Sequence, residues 1–358
     1  MPRHAAGLPA ADIPHRPDAL SLARFSASLT GLWPQFAGDD SLLLGIAVSG
    51  GPDSMALLML ASAAFPGRIR AATVDHRLRA ESGDEARFVS RHCAKTGVPH
   101  AILGVDVAPG NVQSQARTAS YRALGEWMRG LNISHMATAH HADDQAETLL
   151  LRMNRASGVA GLAGVRAVGP VPGSDSPASG VADGGQAGGG LTVLRPLLDW
   201  RRADLARIVA DAGVDTVDDP GNRDERFDRA RMRATLRDAD WIDVSAVAAS
   251  AMHIADGDAA LEWATDREWR DQVVQDGSTV VYRPVAPRAI ALRIIARIAV
   301  LLDGRAPRGS AAARAYDALV AGRAVTIGNV LARPLGPARP SGDVWRFGPA
   351  PPRGRKQH

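Results

Sequence analysis

Only one cysteine, Cys93, stands among the 358 residues. A lone thiol excludes an intramolecular disulfide framework and any Cys-x-x-Cys redox or zinc site within the chain, and it suits a reducing compartment. No apolar run approaches the roughly 18 residues that a membrane-spanning helix needs. The first 30 residues carry Arg3, His4, His15 and Arg16 and lack the apolar core of a secretory signal. No membrane span, no export and a cytoplasmic location are therefore expected. Lysine occurs only at positions 95 and 356, so arginine supplies nearly all the positive charge. The formal net charge is +4 and the sequence pI about 9.8, which makes polyanions plausible partners. Two common phosphate-binding signatures are also missing: no G-x-x-x-x-G-K-[ST] occurs, and no G-x-G-x-x-G follows the first strand.

What is present is a chain long enough, at 46% hydrophobic residues, for a large core and two domains. Apolar runs at 42–48, 69–75, 100–105 and 133–139 read as buried strands, and amphipathic stretches from Met55, Gly83, Gln115 and Asp143 read as helices. That alternation predicts an α/β fold with a parallel sheet covered on both faces. Residues 169–190 are Gly-, Ser-, Pro- and Ala-rich with almost no large apolar side chain, and are expected to form a flexible surface insertion. A helix is expected from Arg202 to Ala212. A boundary near Asp240 precedes helix-like 245–270, strand-like STVVYR, helix-like 287–303 and 310–321, and a basic tail expected to fray.

The first strand runs straight into Ser49-Gly50-Gly51-Pro52-Asp53-Ser54. Ligands of open parallel sheets bind outside the carboxyl ends of strands. Two glycines let the backbone approach an anion, and loop amides with the Ser49 and Ser54 hydroxyls can donate to phosphate. A carboxylate within such a cradle repels phosphate unless a cation lies between them, so Asp53 is the candidate Mg²⁺ ligand. The second strand ends at Asp75 and His76, which either border a nucleoside or cap the next segment. After the fourth strand, His140, Asp144 and Glu147 fall at i, i+4 and i+7 of a helix, one face toward the same sheet edge. An N-capped helix with an acidic first turn is the other reading of that segment. Arg117 and Arg122 are either solvated helix charges or, for Arg117, a phosphate contact. Between Asn222 and Arg237, six arginines alternate with acids, as a salt-bridged helix surface or a phosphate-tracking element.

Taken in order, SGGPDS, VDHRLR, QARTASYR, TAHHADDQAETLLLRM, RASGVAGLAGV, RPLL and DDPGNRDERFDRARMR resemble the tRNA(Ile)-lysidine synthetase family of PP-loop ATP pyrophosphatases. The resemblance covers about Ser49 to Arg237. It implies a Rossmann-like PP-loop domain, of the adenine nucleotide alpha hydrolase type, over 36–240. An N-terminal extension, 1–35, would precede it, and a smaller, mainly helical tRNA-recognition domain, 241–358, would follow. It implies a carbon–nitrogen ligase in which ATP adenylates the wobble cytidine of the CAU-anticodon isoleucine tRNA and L-lysine displaces AMP, with Mg²⁺ assisting. By motif match, Ser49, Gly50, Gly51, Pro52, Asp53 and Ser54 would bind ATP; Asp53, His140, Asp144 and Glu147 would be catalytic. Arg117, Arg155, Arg195, Arg229, Arg231 and Arg233 would receive tRNA. A second copy of the chain is a further candidate partner. Two departures stand out: Ala156 replaces the usual glycine of Arg-Gly-Ser-Gly, and Pro220-Gly221-Asn222 replaces Glu-Ser-Asn. Sulfur transfer to tRNA, the neighbouring chemistry on this loop, uses paired cysteines that this chain lacks. A non-catalytic, nucleotide-responsive RNA-binding module is the alternative from another class.

Overall fold

The computed structural model describes residues 16–77, 82–106, 112–173, 190–217, 228–335 and 343–351. The chain forms two compact units, one ending at Ile254 and the other starting at Ala255. The division falls inside one continuous helix, later than the boundary expected near Asp240, because nothing at a helix start tells which unit its far end will join.

The first unit contains helices α1 (Ala19–Leu32), α2 (Gln35–Gly38), α3 (Pro52–Ala64), α4 (Ser82–Thr96), α5 (Val112–Gly130), α6 (Ala142–Met153), α7 (Val159–Leu162), α8 (Arg202–Asp211) and α9 (Asp228–Asp238). Its strands are β1 (Leu44–Ala47), β2 (Ile69–Asp75), β3 (His100–Gly104), β4 (His135–Ala137), β5 (Val168–Pro170) and β6 (Thr192–Leu194), in the order β3-β2-β1-β4-β6-β5. All neighbours run parallel except β5, which is antiparallel to β6.

β1 is the centre of the sheet and packs on both faces. Leu44, Ile46 and Val48 enter one core with the α3 run Met55 to Ala61, while Leu43 and Ala47 pack against Tyr121, Leu124, Met128 and Met136 on the other side. The absent side chain of Gly45 admits the Trp127 ring, which an added Cβ would meet at 3.1 Å. α3 is apolar all round because both of its sides are covered, which is why its start is announced by Gly51 and Pro52 rather than by an amphipathic stripe. Order reverses between β2-β1 and β1-β4, so the tips of β1 and β4 flank the crevice where open α/β sheets bind ligands.

Two expectations are corrected here. The segment expected as an N-terminal extension includes α1, whose Phe25 and Leu29 are fully buried in the first core, with Asp18 capping it by accepting from the Ser21 amide at 2.9 Å. The expected insertion begins inside the sheet: Gly169 and Pro170 pair with β6, and Val171 is buried. Three residues of an edge strand are too short for a period to show. Residues 174–189 lie outside those described.

The second unit contains the end of α10 (Val244–Gln272), α11 (Arg288–Asp303), α12 (Ala311–Val320) and an antiparallel sheet, β7-β8-β11-β10-β9. The strands are β7 (Val273–Asp276), β8 (Thr279–Tyr282), β9 (Val325–Ile327), β10 (Val330–Pro334) and β11 (Trp345–Pro349). The helices match the sequence reading, which found β8 but not the other four strands. Those strands span three to five residues, and Gly277 and Gly328 at positive φ close their two hairpins. Ile290, Ile294, Ile295 and Ile298 of α11 fill the core against Trp345 and Phe347. Arg293 and Arg297 alternate with Asp258, Glu262 and Asp266 of α10 in a ladder of ion pairs.

Ala156 has φ of +51°, the left-handed region that costs an L-residue about 1–2 kcal/mol. Replacing it by glycine relieves that strain but raises the entropy of the unfolded chain. Ala156→Gly should therefore raise stability by at most about 1 kcal/mol, or roughly 2–4 °C in a thermal melt. A lower melting temperature would mean that the turn is not strained.

Candidate active site

Between Val48 and α3 the chain turns through Gly50 at φ +88°, where a Cβ would come within 2.9 Å of Val217 Cγ2. The Val217 amide also donates to the Gly50 carbonyl at 3.0 Å, so the segment after α8 clasps the loop. Ser54 closes it from inside. Its hydroxyl donates to the Gly51 carbonyl (3.0 Å) and accepts from the Ser49 amide (3.1 Å); having spent its one proton, it accepts from the Ser49 hydroxyl (3.1 Å) as well. This corrects one expectation: Ser54, buried, shapes the loop instead of offering its hydroxyl outward. The outward donors are the backbone amides of the first turn of α3, which have no intrahelical partner.

Opposite the loop, α6 begins at Ala142, with His141 as its N-cap residue. His140 therefore precedes the helix, and the one-face argument for His140, Asp144 and Glu147 holds only for the two carboxylates. The residue that joins the two strand tips is His141. It is 1% exposed, with Nε2 at 3.3 Å from Asp53 Oδ2 and 3.6 Å from Asp144 Oδ2. Burial pushes its pKa down, but the hydrogen bond to Asp53 and the charges of Asp144 and Asp53 outweigh burial and raise it. The Asp144 carboxylate accepts from the His141 amide at 3.2 Å, the reciprocal half of a capping box. Asp143 takes the Arg202 amide (2.8 Å) and the Arg201 guanidinium (3.3 Å), and its Oδ2 lies 3.7 Å from His141 Nδ1. The sequence reading passed over His141 because adjacent histidines cannot be ranked without knowing where the helix starts.

His140 takes the opposite electrostatic course. Burial lowers its pKa to about 4; Asp144 opposes that, while Arg195, Arg117 and Arg229 reinforce it. Three of the arginines expected to receive tRNA thus help to keep one imidazole neutral, and its Nδ1 lies 3.0 Å from Thr138 Oγ1. Arg233 does something else: its Nε donates to Glu147 Oε1 at 2.9 Å, where Glu147 is 1% exposed and Arg202 approaches to 3.8 Å. Arg155 and Arg231 share the two oxygens of Asp228, and Arg229 also donates to Thr148 Oγ1 (3.2 Å). Arg195 is buried and donates to the Arg166 carbonyl at 2.7 Å, which leaves it short of solvent. Asn222, Arg223 and Arg226 lie outside the described residues. Asp75, left open between two roles, accepts from the Arg77 amide (2.9 Å) and the Ser82 hydroxyl (2.7 Å), the capping arrangement; His76 meets Ser120 Oγ at 3.2 Å.

Among the described residues, three buried polar atoms of this cluster have no hydrogen-bond partner: Asp53 Oδ1, Glu147 Oε2 and His141 Nδ1. Orphaned carboxylate oxygens at a sheet switch point are costly unless something cationic or protic is to be held there.

His135 of β4, stacked on Trp33 at 3.9 Å, is also pushed by burial to about 4. His135 and His140 are neutral in the fold, whereas the unfolded chain takes up those protons near pH 6.5. Stability is therefore fully present above about 6.5 and is lost as pH falls toward 4. Melting temperatures measured from pH 7 to 4.5 should fall, and His135→Phe, which preserves the stack, should flatten that slope. An unchanged slope would place the titration elsewhere.

Residues 25–239 match the PP-loop domain family. The chain is 43% identical over 331 residues to the tRNA(Ile)-lysidine synthase of Novosphingobium aromaticivorans, covering 90% of this chain and 95% of that protein. It is 38% identical over 315 residues to the tRNA(Ile)-lysidine synthase of Zymomonas mobilis subsp. mobilis, covering 87% and 89%. Among solved structures, the U34-tRNA thiolase NcsA from Methanococcus maripaludis superposes with a TM-score of 0.50 over 65% of this chain and 76% of its own, at 12% identity. At that identity the likeness is one of fold.

Proposed function

The chain belongs to the tRNA(Ile)-lysidine synthase family, PP-loop enzymes that make a carbon–nitrogen bond at the expense of ATP, and from that premise we propose how its site works. The acceptor is the wobble cytidine of the isoleucine tRNA with a CAU anticodon, the amine is L-lysine, and the enzyme works in the cytoplasm. The first unit carries the chemistry and the second helps to hold tRNA. The observation that carries this reading is the His141 bridge, which brings the loop carboxylate Asp53 and the α6 carboxylate Asp144 to one crevice at the sheet's switch point.

In the first step the cytidine O2 attacks the α-phosphorus of ATP; the new O–P bond forms as the bond to pyrophosphate breaks. Amides of the 49–54 loop and the start of α3 stabilise charge on the departing pyrophosphate. Asp53 Oδ1, buried and unpartnered, fits a Mg²⁺ ligand. Among the described residues no group of three acidic, His or Cys side chains encloses a metal, so phosphate and water oxygens would complete the shell. When bound, that ion supplies charge neutralisation on the phosphates.

In the second step the lysine ε-amine attacks C2, the C2–N bond forms, and the C2–O bond breaks to release AMP. The amine must first lose a proton. His140, with its pKa near 4, is a poor acceptor at neutral pH. We assign proton removal to Glu147, whose Oε2 is buried and unpartnered, with Asp144 beside it to orient the ammonium. Arg117 and Arg229, both exposed, would meet the tRNA backbone beside His140, while Arg195, buried, would act on it only through its charge.

Incorporation of radiolabelled lysine into a CAU-anticodon tRNA(Ile) transcript with ATP and Mg²⁺ tests the reading. Absence of incorporation, with pyrophosphate release set off by a different acceptor, would overturn it.

A further inference from the structure

Arg202 is the first residue of α8 and Arg201 is its N-cap. Two cations at a helix N-terminus stand against the helix dipole, so local energetics disfavour both. Arg201 is answered by Asp143 at 3.3 Å. Arg202 is held far more loosely. Its amide donates to Asp143 Oδ2 at 2.8 Å and so pins the start of α8 to the start of α6, but its guanidinium comes only to 3.4 Å from His141 Nε2 and 3.8 Å from Glu147 Oε1. Among the described residues the guanidinium makes no closer polar contact, against about 2.9 Å for a hydrogen bond of ordinary length. The side chain is 29% exposed, so the donors of this fork are incompletely used by the protein and open to the crevice.

The position of Arg202 gives the missing acceptor its chemistry. His141 Nε2 is the atom that faces Asp53 of the nucleotide loop at 3.3 Å, and Glu147 belongs to the face of α6 assigned to lysine. The guanidinium therefore lies between the groups of the first step and those of the second. One substrate group takes part in both steps: the α-phosphoryl, which is bonded to pyrophosphate before the first and leaves as AMP in the second. Asp53, Asp144 and Glu147 meet at the crevice that must hold this anion, and three carboxylates repel it unless cations stand among them. Arg233 is engaged by Glu147 Oε1 at 2.9 Å and Arg201 by Asp143, whereas the fork of Arg202 matches phosphate oxygens and has no close acceptor among the described residues.

We propose that Arg202 is a catalytic residue whose guanidinium donates to a non-bridging oxygen of the α-phosphoryl group in both steps. It stabilises the charge on that oxygen as the new O–P bond forms, and again as AMP departs. Arg202 forms no covalent bond and moves no proton. The proposal rests on the two-step reading above for the identity of the phosphoryl group, and on the contacts of Arg202 for its need of an anion.

The test compares Arg202→Gln, Arg202→Lys and, as control, Arg207→Gln, an exposed arginine later in α8. Pyrophosphate release in the presence of the tRNA transcript is measured with ATP and with each of the two α-phosphorothioate diastereomers of ATP. Arg202→Gln should lower kcat with ATP by about 10²-fold, the cost of one lost donor to a charged oxygen of the transition state, with Arg202→Lys between it and wild type. The rate penalty that sulfur brings in one diastereomer should vanish in Arg202→Gln while that of the other persists; a residue that only shapes the site would scale all three substrates alike. Single-turnover lysine incorporation into tRNA adenylated before lysine is added should slow as well. The melting temperature should stay unchanged, because the amide bond to Asp143 survives, and Arg207→Gln should behave as wild type. Wild-type pyrophosphate release in Arg202→Gln, or equal scaling of the three substrates, would overturn the proposal. So would loss of the lysine step alone, because Arg202 would then only hold Glu147. If the wild type releases pyrophosphate but never incorporates lysine, while the diastereomer effect at Arg202 remains, the lysidine reading fails and the phosphoryl contact stands.

Discussion

Asp53→Asn should lower ATP-dependent pyrophosphate release by about 10³-fold or more while leaving tRNA affinity within about twofold of wild type. Asparagine keeps the size of the side chain and an oxygen for the His141 Nε2–H that now reaches Asp53 Oδ2 at 3.3 Å. It removes the negative charge at Oδ1, the unpartnered oxygen assigned to Mg²⁺. Because the bridge to α6 persists, the melting temperature should move little. Pyrophosphate release measured beside tRNA filter binding decides the matter. Retained release would show that Asp53 does not serve the nucleotide, and parallel loss of release and tRNA binding would make it a structural residue.

Glu147 should show the opposite separation. With Glu147→Gln the first step persists, seen as tRNA-dependent pyrophosphate release, while lysine incorporation falls by about 10²-fold or more through loss of the proton acceptor. Glu147→Ala adds a folding cost. Glu147 is 1% exposed and anchors Arg233 at 2.9 Å, so truncation removes one charged partner of a partly buried guanidinium. Breaking a buried pair from one side costs about 3–5 kcal/mol; with Arg233 about a quarter exposed, the low end applies, and the melt should drop by several degrees. The double variant Glu147→Ala/Arg233→Ala should recover much of that stability without recovering lysine use. Recovery of both would show that Glu147 only holds α9 in place. Equal loss of both steps in Glu147→Gln would remove it from the second step.

The two substitutions also show how much was legible in the sequence. Asp53 stood out because a carboxylate in a phosphate cradle is an electrostatic contradiction that needs a cation, and that reasoning requires no coordinates. Asp144 and Glu147 stood out by helical spacing. The pairing of Glu147 with Arg233 was not legible. The two lie 86 positions apart, and α9 follows a segment whose arginines all looked alike in sequence. The same limit hid the division of the arginines: the charges of Arg117, Arg195 and Arg229 bear on His140, Arg155 and Arg231 tie to Asp228, and Arg233 pairs with Glu147.

The amino-acid sequence alone determined the strand–loop–helix alternation, the position of the 49–54 loop at the tip of β1 and the exclusion of disulfide and paired-cysteine chemistry. Those features depend on local periodicity, on glycine at a sharp turn and on residue counts. Only the tertiary structure decided that His141 rather than His140 links Asp53 to α6, that Ser54 faces into its own loop, that α1 belongs to the core, and that Gly169 to Val171 enter the sheet. Each of these depends on which distant surface a side chain meets, and burial and pairing across dozens of residues leave no periodic trace in the chain itself.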